Sequence, residues 1–164
     1  VIFDFVNRLQ TGCIRHVFGK DGTLWVGQTG RGWGSAGGKE FGLQQVKWDG
    51  KTTPFSMHDV KLTKEGFRIT FTKPTDKALA GDPEKYSVER WGYHYHPKYG
   101  SPKTDLKKEK PASVQVSKDG LQVNIGVTLE KNRVYKLNLG AITAKDGSKM
   151  ANGFAWYTLN RLKD

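Results

Sequence analysis

Four Asp-Gly pairs (Asp21-Gly22, Asp49-Gly50, Asp119-Gly120, Asp146-Gly147) and one Glu-Gly pair (Glu65-Gly66) punctuate this chain. A tight hairpin turn needs positive φ at its centre, and glycine after an acidic residue is the pairing that supplies it. Between these turns lie short stretches in which apolar and polar residues alternate, the period of a half-buried strand. The clearest is Phe67-Arg68-Ile69-Thr70-Phe71-Thr72, with Phe67, Ile69 and Phe71 on one face and Arg68, Thr70 and Thr72 on the other. Turn signals roughly every eight to twelve residues, with almost no helical period, predict an all-β chain built as an antiparallel β-sandwich.

Taken in order, the first fifty residues read differently from the rest. Ile14 and Phe18 alternate with polar residues before Asp21-Gly22, and Leu24 and Val26 follow it, which predicts a hairpin. A glycine-dense stretch from Thr29 to Gly42 lacks the Gly-Lys-Ser/Thr ending of a phosphate loop, so it reads as a surface loop pinned by Trp33. A strand over 43–48 ends at Asp49-Gly50. The regular pattern then starts, and the expected division is 1–52 and 53–164. The second part predicts strands over 55–62, 67–72, 114–116, 121–125, 134–139 and 154–159. One or two helical turns are expected over 75–80 with Thr75 as N-cap. Residues 98–111 lose all pattern and read as a long loop.

The most chemically marked stretch is 86–99, Y-S-V-E-R-W-G-Y-H-Y-H-P-K-Y. Read as one strand, it places Trp91, Tyr93 and Tyr95 on one face and Arg90, His94 and His96 on the other. The rings are either the centre of a core or a platform on which the apolar C–H face of a sugar stacks. On the second reading Trp91, Tyr93, Tyr95 and Tyr99 supply rings, while Arg90, Lys98 and Asp105 supply polar contacts. Tyr95 and Tyr99, nearer the loop, are the better exposed candidates. His94 and His96, with His58 as a third ligand from another strand, make a zinc or copper site the alternative.

Other chemistries find little in the sequence. Cys13 is the single cysteine, so no internal disulfide forms, and His16 three residues on would face the opposite side of a strand. Most of the 16 acidic residues sit in turns (Asp21, Asp49, Asp119, Asp146) or beside lysines (Glu109, Glu130); no paired carboxylates and no Gly-x-Ser-x-Gly elbow stand out, so no enzymatic activity and no cofactor are expected. A formal net charge of +11 favours acidic partners, yet the dense run at 103–110 reads as a solvated loop, and no nucleic-acid-binding motif accompanies it. No apolar run is long enough for a membrane span. The chain opens at Val1 without a methionine or signal peptide and reads as a mature or excised piece.

The order D-V-K-L-T-K-E-G-F-R-I-T-F-T-K-P-T-D, D-P-E-K-Y-S-V, S-V-Q-V-S-K-D-G-L-Q-V-N-I, V-Y-K-L-N-L and I-T-A-K-D-G resembles a bacterial immunoglobulin-like domain over about residues 55–159. The earlier V-F-G-K-D-G-T-L-W-V-G-Q-T-G-R-G-W-G and K-E-F-G-L-Q-Q-V-K-W-D-G resemble the closing blade of secreted β-propellers of the glucose/sorbosone dehydrogenase-like group. The resemblance implies propeller-blade-like strands followed by an immunoglobulin-like sandwich, a periplasmic or secreted setting and a connection with carbohydrate. One blade cannot hold a quinone or an active site, so no catalytic residue is carried over. The expectation is a non-catalytic accessory module whose partners are polysaccharide or neighbouring domains of a larger protein. The alternatives are a spacer or docking module, or a metal-binding sandwich.

Overall fold

The computed structural model describes residues 1–30 and 37–163, all-β apart from two short helical turns. The loop expected to be pinned by Trp33 lies outside the described residues. The chain forms two compact units, Val1–Asp4 with Thr53–Asp164, and Phe5–Thr52.

The larger unit contains two antiparallel sheets. Strands β1 (Ile2–Phe3), β5 (Met57–Leu62), β6 (Gly66–Phe71), β7 (Ser87–Gly92), β8 (Thr104–Glu109), β9 (Ser113–Val116), β10 (Gln122–Gly126), β11 (Arg133–Asn138) and β12 (Phe154–Leu159) are ordered β1-β12-β11-β7-β8 in one sheet and β5-β6-β10-β9 in the other. Their inner faces meet in one core: Phe67, Ile69 and Phe71 of β6 and Val123 and Ile125 of β10 pack with Val88, Tyr135, Leu137, Ala155 and Leu159 from the facing sheet. The Phe67 ring contacts those of Tyr135 and Tyr157 at centroid distances of 5.3 and 5.2 Å. Burying each such side chain stabilises by about 1.5–3 kcal/mol. The period-two pattern read in 67–72 is the pattern of this buried face.

Four expectations are corrected. The strand over 55–62 begins only at Met57, although Phe55 is buried in the core. The helical turn α1 runs Lys77–Gly81 and is capped by Asp76, whose Oδ1 accepts from the amides of Ala78 and Leu79 at 2.9 and 3.2 Å. Thr75 is unavailable as a cap because its hydroxyl donates to the Gly120 carbonyl at 3.0 Å. The supposed loop over 98–111 contains β8, and the supposed strand over 86–99 stops at Gly92.

The smaller unit is a three-stranded antiparallel sheet, β2 (Cys13–Phe18), β3 (Leu24–Thr29) and β4 (Phe41–Val46), in that order. One face is covered by the segment before β2: the Gln10 amide donates to Gln44 Oε1 at 2.7 Å, the Thr11 amide to Gln28 Oε1 at 2.9 Å, and Gln28 Nε2 to Gln44 Oε1 at 2.9 Å. The register puts Val17 beside Trp25, and Leu43 and Phe41 beside Gly27 and Thr29, on the opposite face. Val17, Leu43 and Phe41 are exposed there. A bulge between Cys13 and Arg15 shifts the alternation, so Cys13 and His16 lie opposite Gln28 and Val26 on one face, rather than on opposite faces.

Candidate functional site

Strand β7 pairs with β11 from Asn138↔Ser87 to Val134↔Trp91, and with β8 as far as Gly92↔Thr104. Beyond Gly92 it has no strand partner on either side among the described residues, and this ends the strand. A Cβ at Gly92 would lie 2.4 Å from Arg133 Nη1 and 3.1 Å from Thr104 Oγ1, so the glycine admits both neighbours. The chain leaves the sheet here and returns at Thr104.

Pairing decides which way each β7 side chain points. Val88 and Arg90 face the interior, while Ser87, Glu89 and Trp91 face away from the core. Trp91 is nevertheless only 2% exposed. It is covered from the solvent side: Lys103 Nζ sits 3.8 Å from its ring centroid, and the Tyr93 ring meets it edge-on at 6.4 Å and 89°. Trp91 is therefore neither part of the sandwich core nor an open platform; it anchors the loop that follows. Its Nε1 is buried and finds no hydrogen-bond partner among the described residues.

The loop has its own hydrogen bonds. The His94 amide donates to Ser101 Oγ at 2.9 Å, the Ser101 hydroxyl donates to the Pro102 carbonyl at 3.0 Å, and the Lys98 amide donates to His96 Nδ1 at 3.2 Å. Gly100 turns the chain at φ 75°. On this frame Tyr93 is 54% exposed, and the rings of Tyr95 and Tyr99 stand fully in solvent. Lys98 and Lys103 are also exposed.

Two polar residues expected to reach a ligand are committed elsewhere. Arg90 is only 6% exposed. Its Nε and Nη2 donate to Glu130 Oε1 at 3.1 and 2.9 Å, and its Nη1 pairs with Glu109. Burial alone would make the guanidinium easier to deprotonate, but the hydrogen bonds and charges of Glu130 and Glu109 outweigh it and raise the pKa. The hydrogen bond from Arg90 is the largest cause holding the Glu130 carboxyl below its ordinary range. Asp105, in a left-handed conformation at φ 50°, pairs with Arg133 Nη1 at 3.2 Å.

The proposed metal ligands are not assembled. The His94 and His96 rings lie 6.5 Å apart, but His58 stands on β5 in the other sheet. Among the described residues no group of three or more His, Cys, Asp or Glu side chains could hold a metal ion. The two-residue spacing suggested convergence only while the stretch was a strand; on a loop that alternation no longer applies.

Sequence reasoning missed Lys103, whose role depends on β8 returning beside Trp91. It also missed a ring pair on the outward face of β12. Phe154 and Trp156 lie 6.2 Å apart, with Lys136 Nζ 4.6 and 5.9 Å from their centroids. The i, i+2 spacing in F-A-W was the available signal.

No family model and no curated protein matches the chain. Among solved structures, the chain is similar to surface layer protein SbsC, domains 1–6, at 24% identity and a TM-score of 0.49 over 66% of this chain and 14% of that one. The N-terminal part of the bacterial S-layer protein SbsC matches at 25% identity and a TM-score of 0.48, over 66% of this chain and 24% of that one. No helix among the described residues is long and apolar enough to cross a membrane.

Proposed function

We propose that this chain is a non-catalytic module of an extracytoplasmic protein that contacts carbohydrate through Tyr93, Tyr95, Tyr99 and Lys98. One observation carries the reading: two fully exposed tyrosine rings stand on a loop anchored by a buried tryptophan. Single exposed apolar groups are ordinary, but three exposed tyrosines within seven residues are a concentration of rings on one loop. Tyrosine offers contact area at low side-chain entropy, and anchoring the loop lowers the cost of ordering it on binding. The turn aspartates support the non-catalytic part. Asp21, Asp49, Asp119 and Asp146 are held below the ordinary carboxylate range by hydrogen bonds from Thr23, Thr52, Ser117 and Ser148 respectively, and so serve their own turns. The proposal includes the parentage implied by the resemblance, an immunoglobulin-like sandwich with a propeller-blade-like sheet.

A docking role is the second reading, favoured by the apolar face of the β2-β3-β4 sheet, where Val17, Phe41 and Leu43 are 63, 76 and 68% exposed. Affinity electrophoresis of the full chain against neutral and acidic polysaccharides separates the two. Carbohydrate contact predicts retardation by at least one polymer that Tyr95→Ala or Tyr99→Ala abolishes. Unretarded migration through every gel would discard it and leave docking.

A further inference from the structure

We infer that the glycan taken by the Tyr93–Tyr99 loop is an acidic one, bearing carboxylate or sulfate groups; this rests on the carbohydrate reading and narrows it. From Arg90 to Thr104 the chain contains no aspartate or glutamate. The acids that approach from neighbouring segments are already paired. Glu109 and Glu130 hold Arg90, Glu130 also takes Lys107 and Arg133, Asp105 takes Arg133, and Glu89 pairs with Lys108 at 3.4 Å. Among the described residues neither Lys98 nor Lys103 joins an ion pair, so these two charges are left unopposed around the exposed rings. Lys103 is also fixed in place by its seat over Trp91, where a cation gains from the ring's negative face.

The donor inventory leads to the same class. A neutral sugar presents hydroxyls, which are usually met partly by carboxylate and amide oxygens. This loop has no carboxylate or amide side chain, and a lysine ammonium only donates. The loop's own acceptors are hydroxyls, imidazole nitrogens and backbone carbonyls, all neutral, so its two charged donors, Lys98 and Lys103, favour a ligand that brings strong acceptors. Carboxylate and sulfate oxygens give the charge-assisted bonds that an ammonium makes best, and the rings stack on the sugar between them. The chain's net charge of +11 adds long-range attraction that any polyanion feels, so the test must separate local from diffuse charge.

The experiment measures affinity of the full chain for polygalacturonate and for the same polymer with its carboxyls methyl-esterified, and in parallel for dextran sulfate and dextran. The inference expects at least one acidic polymer to bind about tenfold more tightly than its neutral counterpart, with affinity falling as salt rises. Which pair shows the difference tells carboxylate from sulfate. Tyr95→Ala and Lys98→Gln should each weaken acidic binding severalfold, while Lys118→Gln and Lys145→Gln, on exposed positions at the opposite end of the sandwich, should leave it unchanged. Equal, Tyr95-dependent binding of charged and neutral polymers would overturn the acidic assignment and keep carbohydrate contact. Acidic binding weakened equally by Lys118→Gln and Lys98→Gln, and untouched by Tyr95→Ala, would reduce the effect to bulk charge and overturn it. Absence of binding to all four polymers would remove both readings.

Discussion

Arg90 and Trp91 are neighbours in sequence with opposite orientations, and the difference follows from strand geometry alone. Arg90 points inward at the sandwich rim, where Glu109 and Glu130 compensate the cost of removing its charge from water. Arg90→Ala would leave two partly buried carboxylates without their main partner. Because both keep some solvent access, the expected loss falls below that of a fully buried pair, about 2 kcal/mol, measurable by urea unfolding at neutral pH. The pH dependence has a definite sign. Glu130 is depressed in the folded state by Arg90, so its contribution is present above its unfolded pKa and disappears as pH falls through the lower folded one. The gap between wild type and Arg90→Ala should narrow on acidification, and a gap constant with pH would remove Glu130 from the explanation. Trp91 points outward and becomes buried only because Lys103 and Tyr93 return over it.

The turns and strands differ in how plainly they were written. Glycines 22, 50, 120 and 147 all have φ between 73 and 80°, as Asp-Gly pairs demand. In the Asp146-Gly147 turn the Ser148 hydroxyl is the largest cause lowering the aspartate pKa, followed by the Ser148 amide and Lys73, and together they bring it to about 2. A depressed carboxylate stabilises above its ordinary pKa and ceases to as pH falls through the folded value. Asp146→Asn should therefore lower Tm at pH 6, with the deficit shrinking below pH ~4 and vanishing only once the pH is below the folded value of about 2. A deficit that persists at the lowest pH would assign the effect to the turn backbone. Strands β6 and β10 were legible because both lie between two partners and put every second residue into the core. Strand β8 was not, because it is an edge strand whose inward-facing Glu109 and Lys107 meet Arg90 and Glu130 instead of apolar side chains. The aromatic stretch erred the other way: its alternation continued past Gly92, but its hydrogen-bonding partners did not.

The chain's order in the larger unit also carries a consequence. Strand β1 pairs with β12, Ile2 opposite Trp156 and Phe3 opposite Ala155, so residues 5–52 lie in sequence between two parts of one sandwich. Phe3 packs partly against the core. Removing residues 1–4 should cost about 1–2 kcal/mol of sandwich stability. It should also speed amide exchange along β12 while leaving β3 unchanged; unaltered exchange in β12 would contradict the pairing. No local pattern announced this closure, since two residues of strand carry no period. By itself the sequence determined the β class, the turn positions and the buried faces of the central strands, because steric demands at glycine and the two-residue alternation act over a few neighbouring residues. Tertiary structure alone decided that Arg90 is neutralised inside, that Trp91 is covered, that three histidines stay apart and that Tyr95 and Tyr99 stand in water. Each of those depends on which distant strand arrives alongside, and such pairing is set by the packing of the whole core.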